Sequence, residues 1–402
     1  MIKSIWLLLT VLSVTFSLAA AETSPRSATV PLMVAHNRAY VEVEFARPDG
    51  SRRNARFWVD NGNPDLTISE PLGRDLGLDI SKPEKNEDGM PVAYVTLPRL
   101  TIGGMVVETK DSHAAVVLGD AHIFPEKQVE GILPSTVLKH YQVIFDYPEK
   151  RFTIAQPGVL KPRGKRIACD IYPATGMALM HVMIDGKANA VTLDMGSAFT
   201  LFAEELVQKW TTDHPGWPRV QGAVGAANMF GAPYEAKSIL MRLPEMQAKS
   251  LKVKNAAVVS MPKDFFDWYS KKTTRPATGA IGGNVLKAFR VMIDYPNSAI
   301  YLERKIDRPD RELNLVGLIL APSRDRDGRF GVRGIAKKDG KDTVEDVQPG
   351  DKLLQVDGVD MQGLTMDSVI DSLRGKPGDI HTLLLDRKGK QFTVKAPVRM
   401  LL

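Results

Sequence analysis

Twice along this chain an apolar strand runs into Asp-x-Gly, and that duplication constrains the fold more than any other feature. The first copy is Phe57-Trp58-Val59-Asp60-Asn61-Gly62 and the second is Val191-Thr192-Leu193-Asp194-Met195-Gly196. A single Asp-x-Gly reads as an ordinary turn. Here both copies follow an apolar strand, precede a short helix and share downstream sequence. Residues 40–45 alternate, with Val41, Val43 and Phe45 on one face, as a half-buried strand does. The counterpart, 178–184, is more apolar. Each leads through a turn, Asp49-Gly50 or Asp185-Gly186, into the strand that ends at the aspartate. After the loop, Ser69-Glu70-Pro71 predicts a helix over 72–78, with Ser as cap and Pro in the first turn. Residues 203–210 are its counterpart.

Two further blocks repeat. Leu97-Pro98-Arg99-Leu100 matches Leu243-Pro244-Glu245-Met246, each with strand-like sequence after it. Gly131-Ile132-Leu133-Pro134 leads to Val137-Leu138-Lys139 and Phe145-Asp146-Tyr147-Pro148, as Gly279-Ala280-Ile281-Gly282 leads to Val285-Leu286-Lys287 and Ile293-Asp294-Tyr295-Pro296. The offset is 134 at the aspartates (194 − 60) and 148 at Asp-Tyr-Pro (294 − 146), so the second copy carries extra residues, expected in loops. Two copies are too few for a solenoid and predict a pseudo-two-fold pair. Each copy brings one carboxylate. Two carboxylates brought together share one proton, and one then acts as base while the other acts as acid.

Composition narrows the alternatives. A chain of 402 residues exceeds one ordinary core, and 44% apolar with 25% charged residues is globular rather than disordered. Met1-Ile2-Lys3, an apolar run from Ile5 to Leu18 and Ala19-Ala20-Ala21 read as a cleaved secretory signal over 1–21. Membrane contact is then transient, and a bacterial periplasm is the expected compartment, because the single Cys169 permits no internal disulfide. Cys169 itself reads as a buried, inert thiol. The formal charge of +6, or +5 once Lys3 is lost, is dispersed among acids, which argues against nucleic acid. The seven His residues form no metal-ligand pattern, so no metal or other cofactor is expected. Gly279-x-x-Gly282-Gly283 lacks the Lys-Ser/Thr ending of a phosphate loop. No Gly-x-Ser-x-Gly marks a serine hydrolase.

Alternating charge and Pro309 in 305–312 predict an exposed linker, followed by a smaller unit over 313–402. It contains strand-like 330–335, Gln348-Pro349-Gly350-Asp351, a strand ending at Asp357-Gly358, a helix over 366–373 capped by Thr365, and a hairpin around Arg387-Lys388-Gly389-Lys390.

The paired Asp-x-Gly blocks resemble the aspartic-protease family, in particular bacterial retropepsin-like proteins fused to a PDZ domain, over nearly all of the chain past residue 21. The resemblance implies a mostly-β fold with two pseudo-symmetric lobes, 28–158 and 159–304, and a C-terminal PDZ domain. It makes Asp60 and Asp194 the catalytic pair of an endopeptidase. Asn61, Gly62, Met195, Gly196 and Ser197 then form the supporting loops, with the Ser197 hydroxyl on the neighbouring carboxylate. The family has Thr or Ser at the positions of Asn61 and Met195, where a hydroxyl locks the loops together. Asn61 keeps a donor and Met195 does not. Pro134 replaces a glycine that Gly282 retains. A flap is implied at 90–94, with Tyr94 a candidate aromatic, and 222–231 is its Gly-rich counterpart. In the PDZ-like unit Phe330, Gly331 and Val332 begin the strand to which a peptide C-terminus would add. The implied partners are a peptide or unfolded protein substrate and peptide C-termini, and with both lobes in one chain a monomer suffices. The competing reading is an inactive relative that binds peptides in the same cleft.

Overall fold

The computed structural model describes residues 24–87, 89–109, 114–119, 128–306, 312–323 and 327–402. The expected secretory signal, 1–21, and most of the expected linker, 307–311, lie outside them. The described chain is mostly β, as the alternating sequence predicts. No helix in it is long and apolar enough to cross a membrane.

In the first half, strands β1 (Arg38–Ala46) and β2 (Arg52–Asp60) form an antiparallel pair with Tyr40 opposite Trp58. Beyond the Asp60 loop come β3 (Thr67–Ser69) and helix α1 (Glu70–Asp75). The Ser69 hydroxyl accepts from Leu72 N at 3.3 Å, and the helix stops at Asp75, short of the expected 78. Strand β4 (Gly131–Pro134) lies parallel to β2 and antiparallel to β3, with Pro134 opposite Asp60. Strand β5 (Gln142–Asp146) follows.

The second half repeats this wiring. Strands β6 (Ala178–Ile184) and β7 (Lys187–Leu193) pair antiparallel, and Asp194 follows β7 directly. Next come β8 (Thr200–Ala203), helix α2 (Glu204–Asp213), helix α3 (Lys263–Lys271) and strand β9 (Gly279–Ile281). Strand β9 is parallel to β7 and antiparallel to β8. Twelve of the fourteen extra residues of this half fall between Asp194 and Leu243, because the offset of 134 at the aspartates is already 146 at Leu97 and Leu243 (243 − 97). Helix α2 has 10 residues against 6 in α1. The rest lie in the largely irregular stretch 214–238, as expected of loops.

Strand β10 (Phe289–Asp294) joins the halves by pairing antiparallel with β5. Ile144 faces Met292, and 292 − 144 is again 148, so a residue meets its own counterpart and a local two-fold axis passes between them. The flanking strands complete a six-stranded sheet shared by both halves. Phe145, Val143, Val291 and Ile293 are fully buried on it, and the Phe145 ring lies 5.1 Å from Phe152.

The last sheet contains, in spatial order, β11 (Leu318–Pro322), β12 (Phe330–Ile335), β13 (Lys352–Val356), β14 (Ile380–Arg387) and β15 (Lys390–Pro397). The helix among them, α4 (Met366–Ser372), is capped by the Thr365 hydroxyl, which accepts from Ser368 N at 3.2 Å. Lys388 and Gly389, both at positive φ, close the β14–β15 hairpin as its two-residue turn requires. Val332, Leu353, Val369, Leu373 and Leu383 belong to the core of this unit. A separate apolar cluster joins Leu313, Leu315, Ile319 and Ile370 to Val220, Ala223, Ala226 and Ala227 of the second half. Asp367 on α4 also stands 3.6 Å from the buried His36, on the turn before β1.

If the β5–β10 pairing holds the halves together, Phe145→Ala should destabilise the whole molecule by about 3–5 kcal/mol, the range for deleting a buried aromatic side chain. Urea unfolding checks this. A loss under about 1 kcal/mol would show that the shared sheet tolerates a cavity there, contrary to its close packing.

Candidate active site

The two halves meet at their Asp-x-Gly loops. Strand β2 ends on Asp60, and the Asp194 amide after β7 donates to Ile281 O at 3.0 Å, so each aspartate is fixed by the parallel strand beside it or by its backbone. A Cβ placed on Gly62 would lie 2.4 Å from the carboxyl carbon of Asp194, and one on Gly196 would lie 2.2 Å from Asp60 Oδ1. No side chain fits in either place. The backbone of each loop therefore lies directly against the carboxylate of the other, which is what glycine permits. The two carboxyl groups are thereby brought to one place, buried to 7% and 3% exposure.

The loops are tied by one amide. Asn61 Nδ2 donates to Leu193 O at 2.7 Å, and its Oδ1 accepts from Met195 N at 2.7 Å. A carboxamide thus supplies donor and acceptor across the local two-fold axis. Met195, on the other side, is fully buried in the apolar core and makes no reciprocal side-chain bond. The downstream turns pack against both loops. The Ser135 amide and hydroxyl each donate to Asn63 O at 2.9 Å, and Gly283 N donates to Ser197 O at 2.8 Å. Pro134 occupies its turn without needing an N–H.

Donors to the two carboxyl groups are unequal. Asp60 Oδ1 accepts from Gly62 N at 3.1 Å. Asp194 Oδ1 accepts from Gly196 N and Ser197 N, both at 2.9 Å, and its Oδ2 accepts from the Tyr269 hydroxyl at 2.5 Å. The Ser197 hydroxyl, expected on the carboxylate, instead donates to Phe199 O at 2.7 Å, because the backbone N–H already fills that role. Burial, and then the charge of Asp194, push the Asp60 carboxyl well above the ordinary carboxylate value. Burial also raises Asp194, against the opposing pull of Tyr269, Ser197, Gly196 and Arg38. With three donors on Asp194 and one on Asp60, the shared proton belongs on Asp60 and the negative charge on Asp194.

Two of these residues were not legible as site residues in the sequence. Tyr269 arrives from α3, whose Phe265, Phe266, Trp268 and Tyr269 pack edge to face and tilted, with centroids 5.1–6.0 Å apart. Aromatics at helical spacing read as core, and only the hydroxyl's position shows otherwise. Arg38 is buried to 4% exposure at the start of β1, with its guanidinium 5.4 Å from the Trp58 ring centroid. It donates to Gly196 O and to Met229 O, each at 3.2 Å, and its charge favours ionisation of both aspartates. A charged residue ahead of an alternating strand gives no signal of that.

Tyr94 is on the strand Pro91–Val95, opposite Ala115 and 49% exposed, so its ring faces solvent. The neighbouring hairpin turn reaches the second half through Glu87, 3.9 Å from Lys272 just past α3. Residues 222–229 are buried rather than a free loop. The carboxylate of Glu235, itself buried, accepts from Met229 N, Phe230 N, Ala232 N and Asn228 Nδ2 at 2.7–3.0 Å and so clasps the segment. Phe330, Gly331 and Val332 lie on β12, which is paired on both sides. Phe330 faces Pro322 on β11 and Leu353 on β13. An added strand has no edge there; the outer strands of the sheet are β11 and β15. Cys169 is buried, and burial pushes its thiol up to about 12, which leaves it protonated and inert.

The raised Asp60 value has a consequence for stability. A carboxyl that holds its proton more tightly when folded contributes stability fully below the ordinary carboxylate range, and that contribution is lost as pH rises through the raised value. The Tm of the parent should therefore fall from acidic to neutral pH more than that of Asp60→Asn. Parallel Tm-versus-pH curves for the two proteins would contradict a proton held at Asp60.

No family model matches this chain, and no curated protein matches it.

Proposed function

We propose that the chain is an aspartic endopeptidase built from two retropepsin-like lobes, with a C-terminal PDZ-like unit that takes peptide C-termini. The observation that carries the reading is the juxtaposition of Asp60 and Asp194, each pressed against the glycine of the opposite loop. In this reading Asp194, ionised and held by three donors, takes a proton from a water as its oxygen bonds to the peptide carbonyl carbon. Asp60 gives its proton to the carbonyl oxygen. The tetrahedral intermediate then collapses: one of its two hydroxyls returns a proton to Asp60 as the C=O re-forms, the C–N bond breaks and the nitrogen leaves with the proton held by Asp194. One proton remains shared between the carboxyl groups, which restores the starting state. Both acids belong to one chain, so a monomer completes the site. An apolar N-terminal run ending in Ala19-Ala20-Ala21 and a single cysteine support secretion to a bacterial periplasm.

A second reading has its own support. Both carboxyl groups are deeply buried, Tyr269 occupies an oxygen of Asp194, and Met195 offers no reciprocal loop bond. These features suit an inactive relative that binds peptides.

Cleavage of casein from acidic to neutral pH separates the two. The purified chain should cleave, and Asp60→Asn and Asp194→Asn should each lose about 10²-fold or more, the contribution expected of a positioned acid or base. A well-folded parent without activity would favour the inactive relative.

Tyr269 makes a finer test. Its hydroxyl favours the ionised form of Asp194, so Tyr269→Phe should raise the Asp194 value and move the acidic limb of the kcat/KM profile to higher pH. An unmoved limb would leave Tyr269 with a packing role only.

A further inference from the structure

The loop clasped by Glu235 touches two places at once. Toward the dyad, Met229 O accepts from Arg38 Nη2 at 3.2 Å, and the Met229 sulfur lies 3.6 Å from the Ser197 hydroxyl. Toward the C-terminal unit, Asn228 Oδ1 accepts from Leu320 N at 2.7 Å, on the side of β11 that faces away from β12. The turn Gly225–Ala227 contacts α4, and Ala226 and Ala227 share an apolar cluster with Leu313, Leu315 and Ile370. A Cβ on Gly231 would lie 2.7 Å from the Ala321 Cβ, so the loop backbone lies flush against the strand. Small residues suit so narrow a space.

We propose that the groove between β11 and α4 is a peptide slot already filled by this chain's own residues 225–229, and that filling the slot and closing the loop over the aspartates are one equilibrium. The competing ligand is an extended peptide with small apolar side chains that presents a carbonyl or carboxylate oxygen to Leu320 N. Taking the slot displaces Asn228, and the same five residues then withdraw Met229 from Arg38 and Ser197. A ligand shifts such an equilibrium only through its preference for one state, and coupling between the two sites is reciprocal. The coupling rests on contacts alone, and its effect on catalysis rests on the hydrolytic reading above.

Reciprocity sets the experiment. In the full-length chain, Glu235→Gln weakens the loop's clasp and Ile370→Ala weakens the groove. Amide hydrogen exchange is then followed over 225–232 and over 313–322. Each variant should speed exchange at least tenfold in both segments. Faster exchange only in the segment nearest each substitution would overturn the proposal. If Glu235→Gln does not fold, Gly231→Ala, which pushes the loop off Ala321, replaces it under the same criterion. Casein cleavage supplies the second readout. Coupled exchange with faster cleavage than the parent supports the whole proposal, whereas coupled exchange with cleavage unchanged in an active parent overturns closure over the aspartates. If the parent and both variants fail to cleave while exchange is coupled, the filled slot stands and the hydrolytic reading falls.

Discussion

Two glycine backbones lie directly against two carboxyl groups, and the remaining architecture serves that contact. Gly62 and Gly196 each stand where a single methyl group would collide with the aspartate of the other half. Such contact brings two acids out of water together, a costly arrangement unless one is neutralised and the other well supplied with donors. The β5–β10 pairing sets it up by placing the halves about a local two-fold axis. The parallel β2–β4 and β7–β9 pairs then deliver both aspartates from equivalent positions.

The symmetry is one of backbone more than of chemistry. Asn61 ties the loops with two bonds, whereas Met195 only packs. Tyr269 comes from α3 of the second half and reaches only Asp194, while Arg38 comes from the first half and binds the loop of the second. This inequality gives the two carboxyl groups different protonation states. Each buried hydrogen bond of this kind contributes on the order of 1 kcal/mol, or about 1.5–3 kcal/mol where a charge takes part. Three donors against one therefore suffice to decide where a shared proton rests.

The duplicated strands, the caps at Ser69 and Thr365, the Lys388-Gly389 turn and the positions of Asp60 and Asp194 were legible in the sequence, because each is set by local periodicity or turn chemistry. What was not legible depends on distant approach. Tyr269 sits among aromatics that a helix buries for packing alone, and Arg38 gains its role only when Gly196 and Met229 arrive beside it. The Ser197 hydroxyl lost its expected role to a backbone N–H two atoms away, a competition no spacing records. Phe330–Val332 reads as a strand and is one, but which strands lie at the edges is decided by pairing order, and on its side β11 holds that place. The Gly-rich run at 222–231 reads as loose, yet it is held by Glu235, whose importance lies in four donors that only the folded loop presents.

The central claim is that Asp60 and Asp194 behave as one acid–base unit. Carbon-detected NMR of the chain with labelled aspartate carboxyl groups, titrated across pH and assigned with Asp60→Asn and Asp194→Asn, addresses it directly. The account predicts two coupled steps, the upper one well above the ordinary aspartate range and dominated by Asp60, with the upper step abolished in Asp60→Asn and moved to lower pH in Asp194→Asn. Two independent titrations, both near the ordinary value and each unaffected by replacement of the other residue, would contradict it.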